Sequence, residues 1–406
     1  MKLGILTFHR SINYGAFMQC YSLSHRLQKD FPELQVEVID YSSLRATCAM
    51  KQGIDRIADP AQRDAYSKRI HLFDHCCERL PLSDRRLESD DLDALYSWLN
   101  ETYDIIVVGS DAVWNWNVRG FPNAYFLKGY HGTKLSYAAS AHGLSFRGMT
   151  PEQKAFLSDA LSEFSYLGVR DVSTEQMLHL VDPGLNPRHN CDPTMLLDIS
   201  SLPCDLETVW EKLKEKGIDP DRPIFAVMAS PGFVGRELRS YLGKDSQLIA
   251  LYEPNEYAGA YMDTLDPFEW AKVFSLCSGT VTHFFHGTLL SLVNGIPPMA
   301  TEPAQGFAVN YVSKIRDVLT RLEMLECYHP IPMDRISKAK RKLGLKTDRK
   351  QWQKIAGDLL YADAHKKSAF DWIRQKVEKE AESYQDFKIA LERCIEELVA
   401  KERKNG

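Results

Sequence analysis

Short apolar runs alternate with helix-period segments along most of the chain, and this alternation limits the possible folds more than any other feature. "KLGILTF" (2–8), "VEVIDY" (36–41), "YDIIVVGSD" (103–111), "KLSYAAS" (134–140) and "YLGVRD" (166–171) are short and nearly continuous in apolar residues. That is the pattern of parallel strands buried on both faces. Between the first two, Ala16, Cys20, Leu23 and Leu27 fall on one helical face. "PEQKAFLSDALSEF" (151–164) predicts a helix with proline in its first turn. Ser173, with Gln176 three residues on, has the spacing of a capping box for "TEQMLHLV". Residues 42–103 are polar and irregular and predict helical pieces.

After "CDPTMLLD" (191–198) the pattern restarts. "LETVWEKLKEKG" predicts a helix stopped by Gly217, "RPIFAVMAS" a strand, "GRELRSYLGK" a helix and "QLIALYE" a strand. "DPFEWAKVFSLC" then predicts a helix, "GTVTHFF" a strand and "TLLSLVNG" a helix. A length of 406 residues suits two domains. The expected class is α/β, with domains at 1–190 and 205–330 and a linker within 183–205. Residues 331–406 hold 19 Lys and Arg against 13 Asp and Glu, unlike the acidic remainder, and predict helices near 348–380 and 382–403. In the last of these, Phe387, Leu391, Cys394, Ile395, Leu398 and Val399 form one apolar stripe. A helix docked on the body is preferred there to a membrane-surface helix.

A net charge of −5 excludes a global basic field for nucleic acid. Nine cysteines without a CxxC pair read as small apolar residues in a reducing cytosol. "MKLGILTFHRSINYGA" lacks the long apolar stretch of a signal peptide, and no run of eighteen apolar residues predicts a membrane span. Peripheral membrane contact stays open, as does the oligomeric state. HExxH, GxSxG and paired Cys/His spacings are absent from the sequence, so no metal site is predicted.

In open parallel sheets, ligands collect beyond the carboxyl ends of strands. "VTHFFHGT" puts His286, Gly287 and Thr288 there. An imidazole can contact phosphate or move a proton near neutral pH, glycine allows close approach, and a helix N-terminus attracts anions. The plainer alternative is that His286 caps its helix. By strand alternation His283 shares a face with Phe285 and reads as structural or peripheral. In "GSDAVWNW" (109–116), Ser110 and Asp111 fall at a carboxyl edge. Asp111 can bind a sugar hydroxyl or act as a base, and Trp114 and Trp116 can stack on a sugar. On spacing alone, tryptophans filling core is the preferred reading. "NYGA" supplies Asn13, Tyr14 and Gly15 after the first strand, with Asn13 suited to capping the helix. Arg170 ends a strand, and arginine grips carboxylate or phosphate through paired hydrogen bonds. Asp192, in "CDPT", reads first as a turn residue.

Together "GILTFHRSINYGAFMQCYSL", "YDIIVVGSDAVWN", "KLSYAAS", "GVRDVSTEQML", "CDPTMLLD", "DPFEWAKVFSLCSGTVTHFFHGT" and "SKIRDVLTRLEML" resemble the polysaccharide pyruvyl transferase family, in the family's order, over most of residues 1–325. The resemblance implies two Rossmann-like parallel-sheet domains facing a cleft, GT-B-like, with the C-terminal helices returning to the N-terminal domain. It implies transfer of an enolpyruvyl unit from phosphoenolpyruvate, the donor substrate, to a sugar of a bacterial surface polysaccharide or its lipid-linked precursor. No cofactor is implied. The protein would be cytoplasmic, with a peripheral place at the inner face of the membrane left open.

By resemblance, His286 and Asp111 are the catalytic candidates. Arg170, Gly287 and Thr288 would hold the donor, and Asn13, Tyr14, Gly15, Ser110 and Trp114 the acceptor. One departure stands out. Studied members of the family carry a donor-gripping arginine two residues before the histidine, and here that residue is Phe284. A replacement cation from elsewhere, such as Arg236, would restore the charge. Two alternatives follow: a glycosyltransferase of the same fold using a nucleotide sugar, and a non-catalytic relative that binds glycan or a partner enzyme.

Overall fold

The computed structural model describes residues 1–58, 60–229, 236–302, 313–331 and 349–405. The chain divides into two compact units, one of residues 1–67, 74–196 and 381–406, the other of residues 68–73 and 197–380.

Along the first part of the chain run β1 (Lys2–Leu6), α1 (Tyr14–Asp30), β2 (Gln35–Ser42), α2 (Leu44–Asp55), α3 (Pro60–Cys77), β3 (Leu82–Glu88), α4 (Leu92–Thr102), β4 (Ile105–Val108) and α5 (Trp116–Arg119). Then come β5 (Thr133–Ala139), α6 (Pro151–Leu161), β6 (Tyr166–Val169), α7 (Val172–Val181) and β7 (Pro187–His189). The seven strands form one sheet in the order β3-β2-β1-β4-β5-β6-β7. Every pairing is parallel, with Ile5 of β1 opposite Val38 on one side and Val107 on the other. The helical crossovers cover the faces, so β4 buries all four of its residues. Leu99, Trp114, Tyr130 and Leu157 fill the core around it.

The second part holds α8 (Leu206–Glu215), β8 (Ile224–Met228), α9 (Arg236–Leu242), β9 (Gln247–Ala250), β10 (Ala260–Tyr261), α10 (Pro267–Val273), β11 (Gly279–Thr282), α11 (Phe285–Val293), β12 (Pro298–Ala300) and α12 (Lys314–Arg321). Its strands form a parallel five-stranded sheet in the order β10-β9-β8-β11-β12. Three helices close the chain: α13 (Arg349–Ala364), α14 (Lys366–Ala381) and α15 (Tyr384–Asn405).

The fold class is the expected one, but several local expectations change. Residues 42–103 are not all helical, because "LSDRRLE" forms edge strand β3 against β2. α7 is capped by Asp171, whose Oδ1 accepts from Thr174 N at 2.9 Å, and Ser173 already lies inside the first turn. β11 stops at Thr282, so His283 through Phe285 are not strand and the alternation argument for His283 and Phe285 does not apply.

The C-terminal segment also does not act as one piece. α13 packs Trp352, Ile355 and Leu359 into the core of the second unit with Phe225, Val227 and Val281. A Cβ on Gly279 would sit 2.5 Å from Leu359 Cδ2, so the absence of a side chain there lets α13 lie on β11. α15 belongs to the first unit. Its Phe387 ring lies 4.9 Å from Tyr137 and 5.7 Å from Tyr166, and Asn190 donates to the Ser383 carbonyl at its start. Of the predicted stripe, Phe387, Leu391 and Cys394 are buried and Ile395, Leu398 and Val399 half-buried.

Candidate active site

In each sheet the chain reverses its direction of strand addition once, between β1 and β4 in the first and between β8 and β11 in the second. Loops diverge at such a point and leave a crevice beyond the carboxyl ends. The loop after β1 ends at Asn13, with Tyr14 and Gly15 opening α1, the loop after β4 carries Ser110 and Asp111, and β11 leads into the first turn of α11, which carries His286.

At the first sheet's edge, Asp111 has φ +74°, a left-handed conformation that aspartate tolerates better than most residues. Its Oδ1 accepts from its neighbour Ala112 N at 2.9 Å and from Arg170 Nη2 at 3.2 Å. Arg170 Nη1 donates to Asp192 Oδ2 at 2.8 Å. Next to this triad, Ser140 donates to Asp171 at 2.6 Å, and the Thr174 hydroxyl donates to the same carboxylate at 2.8 Å. Burial pushes the Asp171 carboxyl up, but the Arg170 charge and the Ser140 and Thr174 hydroxyls outweigh it and hold the group low. Loops after β4, β5 and β6 are thereby tied together by charge-assisted hydrogen bonds.

A second buried constellation joins β1 to β2. Arg10 makes a two-pronged bond to Asp40 at 2.6 Å on each arm, and His9 Nε2 lies 3.1 Å from Asp40 Oδ1. Burial raises the Asp40 carboxyl, yet its bonds to Arg10 and His9 dominate and hold it well below the usual carboxylate range. Gln19 bridges Thr7 and Ser110, donating to the Thr7 hydroxyl at 3.2 Å and accepting from Ser110 N at 3.2 Å. None of His9, Arg10, Asp40, Gln19 or Asp171 is singled out by the sequence reasoning. The available signal was Asp40 itself, a charged residue inside an apolar strand.

Several predicted contacts are corrected by burial. Arg170 is 1% exposed, and its guanidinium is taken up by Asp111 and Asp192, so it does not present a fork to a donor. Asp192 is the second carboxylate of that triad as well as a turn residue, accepting from Thr194 N at 3.0 Å. Trp114 is fully buried and donates its indole N–H to the Tyr125 carbonyl at 3.1 Å, so it fills core instead of stacking on sugar. Trp116 packs edge-on against Phe121 at 5.5 Å. Ser110 is fully buried and donates to the Ala138 carbonyl at 3.0 Å. Tyr14 and Gly15 are buried in the first turn of α1. Asn13 is exposed and caps that helix, accepting from Gly15 N at 3.0 Å and Ala16 N at 3.2 Å.

At the second sheet's edge, His286 lies within the first turn of α11 and not in a loop before it. The N-cap is Phe284, which has no side-chain acceptor, so the capping alternative for His286 does not hold. His286 is 8% exposed, with its ring edge-on to Phe285 at 5.4 Å. Gly287 serves packing: a Cβ there would come within 2.5 Å of Thr282 Oγ1 and 2.7 Å of Met228 Sδ. Thr288 is fully buried and donates back to the Phe284 carbonyl at 3.3 Å. Arg236 opens α9, and its side chain lies outside the described residues. Phe284, where the resemblance leads to the expectation of an arginine, stacks on His283 at 4.2 Å and meets Tyr252 edge-on at 5.5 Å.

Glu302, two residues beyond β12 at the same edge, is a buried carboxyl that the sequence reasoning also passed over. Burial raises it, against the bonds it accepts from Ser313 and Tyr328. Among the described residues no group of three or more His, Cys, Asp and Glu is placed to hold a metal, and no helix is long and apolar enough to cross a membrane.

Burial lowers His283 and His329 to about 4, so both are neutral at pH 7. Their folded values lie below the unfolded value of about 6.5, so the unfolded chain binds more protons between those limits. Stability is therefore expected to fall as pH drops from about 6.5 to about 4. Urea midpoints across that range should flatten in the His283→Gln/His329→Gln double variant, and an unchanged slope would refute the assignment.

Two parallel-sheet units of Rossmann type, each with polar residues at its switch point, give the chain a GT-B-like α/β fold. A family model for polysaccharide pyruvyl transferases matches residues 13–303, and the chain belongs to that family. No curated protein matches the sequence. Among solved structures, the chain is similar to a Listeria monocytogenes protein named as a UDP-N-acetylglucosamine 2-epimerase, at 11% identity and a TM-score of 0.54, covering 98% of this chain and 97% of that one. It is similar also to UDP-GlcNAc 2-epimerase from Neisseria meningitidis, at 9% identity and a TM-score of 0.51, covering 95% of this chain and 100% of that one. At these identities the likeness is one of fold alone.

Proposed function

We propose that this transferase moves the enolpyruvyl unit of phosphoenolpyruvate onto two hydroxyls of a sugar, in a bacterial surface polysaccharide or its lipid-linked precursor, leaving a cyclic pyruvate ketal. The observation that carries this reading is the family match over 13–303, which spans both the Asp111 loop and the first turn of α11. In the reaction the methylene carbon gains a proton and becomes methyl. Two C–O bonds form at the central carbon while its π bond and its bond to the phosphate oxygen break. One hydroxyl proton ends on the methyl group and the other leaves with phosphate.

His286 is the proton-moving or phosphate-contacting group, at a helix terminus whose partial positive charge suits an anion. Asp111 takes the acceptor hydroxyl's proton or binds it, and Arg170 acts through Asp111 as a positioning residue. A lipid-linked acceptor would bring the protein to the inner face of the membrane from the cytoplasm. A second reading, transfer from a nucleotide sugar, is favoured by one feature, the uncharged Phe284 against His283 and Tyr252.

Thermal unfolding with ligand separates the two. Phosphoenolpyruvate at one hundred times its dissociation constant is expected to add about 2.7 kcal/mol of stability. Stabilisation by nucleotide sugars alone would overturn the pyruvyl reading in favour of the second.

A further inference from the structure

Beyond the carboxyl ends of β2 and β3, a cavity of about 240 Å³ opens in the first unit, lined among others by Tyr41, Ser43, Arg45, Asp90, Arg119 and Tyr125. It includes none of the residues assigned to catalysis above. Two arginines, Arg45 and Arg119, line it. Arg119 is half-buried and lies over the Phe8 ring at 3.7 Å, and its buried Nε has no hydrogen-bond partner among the described residues. Arg45 is exposed and rests against Gly120, where a Cβ would come within 2.9 Å of its Nη1. Gly120 also has φ +84°, a backbone conformation that side-chain-bearing residues rarely adopt, so a side chain is disfavoured at this wall.

Neither arginine is ion-paired among the described residues. An unpaired guanidinium in a half-buried setting suits a phosphate group, which it can grip through two parallel bonds. The hydroxyls of Tyr41 and Tyr125 stay protonated, because burial pushes both phenols up, and so they can donate. Asp90 contributes the opposite chemistry. Its carboxylate accepts from the Arg45 backbone N–H at 3.4 Å, and it would repel a phosphate placed against it while accepting from sugar hydroxyls.

We propose that this cavity binds the phosphate or diphosphate group of a phosphorylated sugar, with Arg45 and Arg119 on the phosphate and Asp90 on the sugar side. Its connection to the reaction rests on the function proposed above, since a phosphate-bearing sugar is the form an activated or lipid-linked acceptor takes. The binding itself does not depend on that reading.

Calorimetric titration of the full chain with inorganic pyrophosphate tests it. The wild type should bind, and R45Q/R119Q should bind at least tenfold more weakly. Because R45Q alters an exposed residue, it should keep the wild-type unfolding midpoint and alone weaken binding at least threefold, so misfolding of the double variant does not rescue the idea. Absence of pyrophosphate binding by wild type, or unchanged affinity in R45Q, overturns the proposal. α-D-Glucose 1-phosphate should bind at least threefold more tightly than inorganic phosphate, and equal affinities overturn the sugar half. No phosphoenolpyruvate enters the titration, so pyrophosphate binding without any phosphoenolpyruvate stabilisation would sink the pyruvyl reading and leave this site standing.

Discussion

Replacing Arg170 with methionine is expected to lower the unfolding free energy by about 3–5 kcal/mol. The reason is what the substitution leaves behind. Asp111 Oδ1 and Asp192 Oδ2 both face the guanidinium, at 3.2 and 2.8 Å, with Arg170 1% exposed. Methionine fills much of the volume but leaves two buried carboxylates without their cation. Against a total stability of about 5–15 kcal/mol, that loss would bring the first unit near unfolding at room temperature. A control isolates the cause. Adding Asp111→Asn and Asp192→Asn to Arg170→Met removes the stranded charges and should recover a large part of the loss, because replacing all members of a buried ionic group costs less than breaking it. Urea denaturation of the three proteins measures both numbers. A loss under about 1 kcal/mol for Arg170→Met would show that the triad does little for stability.

His286→Ala should reduce pyruvyl transfer by about 10²–10⁴-fold, the range for removing a positioned proton-transfer group. The fold should survive, because α11 takes its N-cap from Phe284 and not from this imidazole, and the residue sits in the first turn of the helix. A stability change below about 2 kcal/mol is expected, in line with trimming one buried side chain at the edge of a sheet. Initial rates with phosphoenolpyruvate and a sugar acceptor, read beside a denaturation curve, separate the two quantities. Activity within threefold of wild type would remove His286 from the mechanism and turn attention to Glu302, whose buried carboxyl lies at the same sheet edge.

How much of this could be read without the structure varied with locality. β4 was legible because four consecutive apolar residues end in Gly109 and only a strand buried on both faces accepts that pattern. β3 was not, because "LSDRRLE" is an edge strand paired on one side, and its exposed arginines and acids break the apolar signal. β10 and β12 are two and three residues long, too short for any periodicity to appear. Asp171 and Ser173 both have side chains that cap helices, and the choice depended on where β6 releases the chain.

The sequence by itself determined the alternation of strands and helices, the parallel sheets that follow from it, and the presence of Asp111 and His286 at carboxyl edges. Those features depend on residues within one strand, one turn and one helix. Only the tertiary structure decided which polar residues remain available to a ligand. Arg170 meets Asp111 across 59 residues of sequence and Asp192 across 22, so its charge is spent on the protein. Trp114 gives its indole N–H to Tyr125, and Gly287 gives its space to Thr282 and Met228. Burial and pairing are made by neighbours brought together in folding, and residue type and spacing carry no record of them.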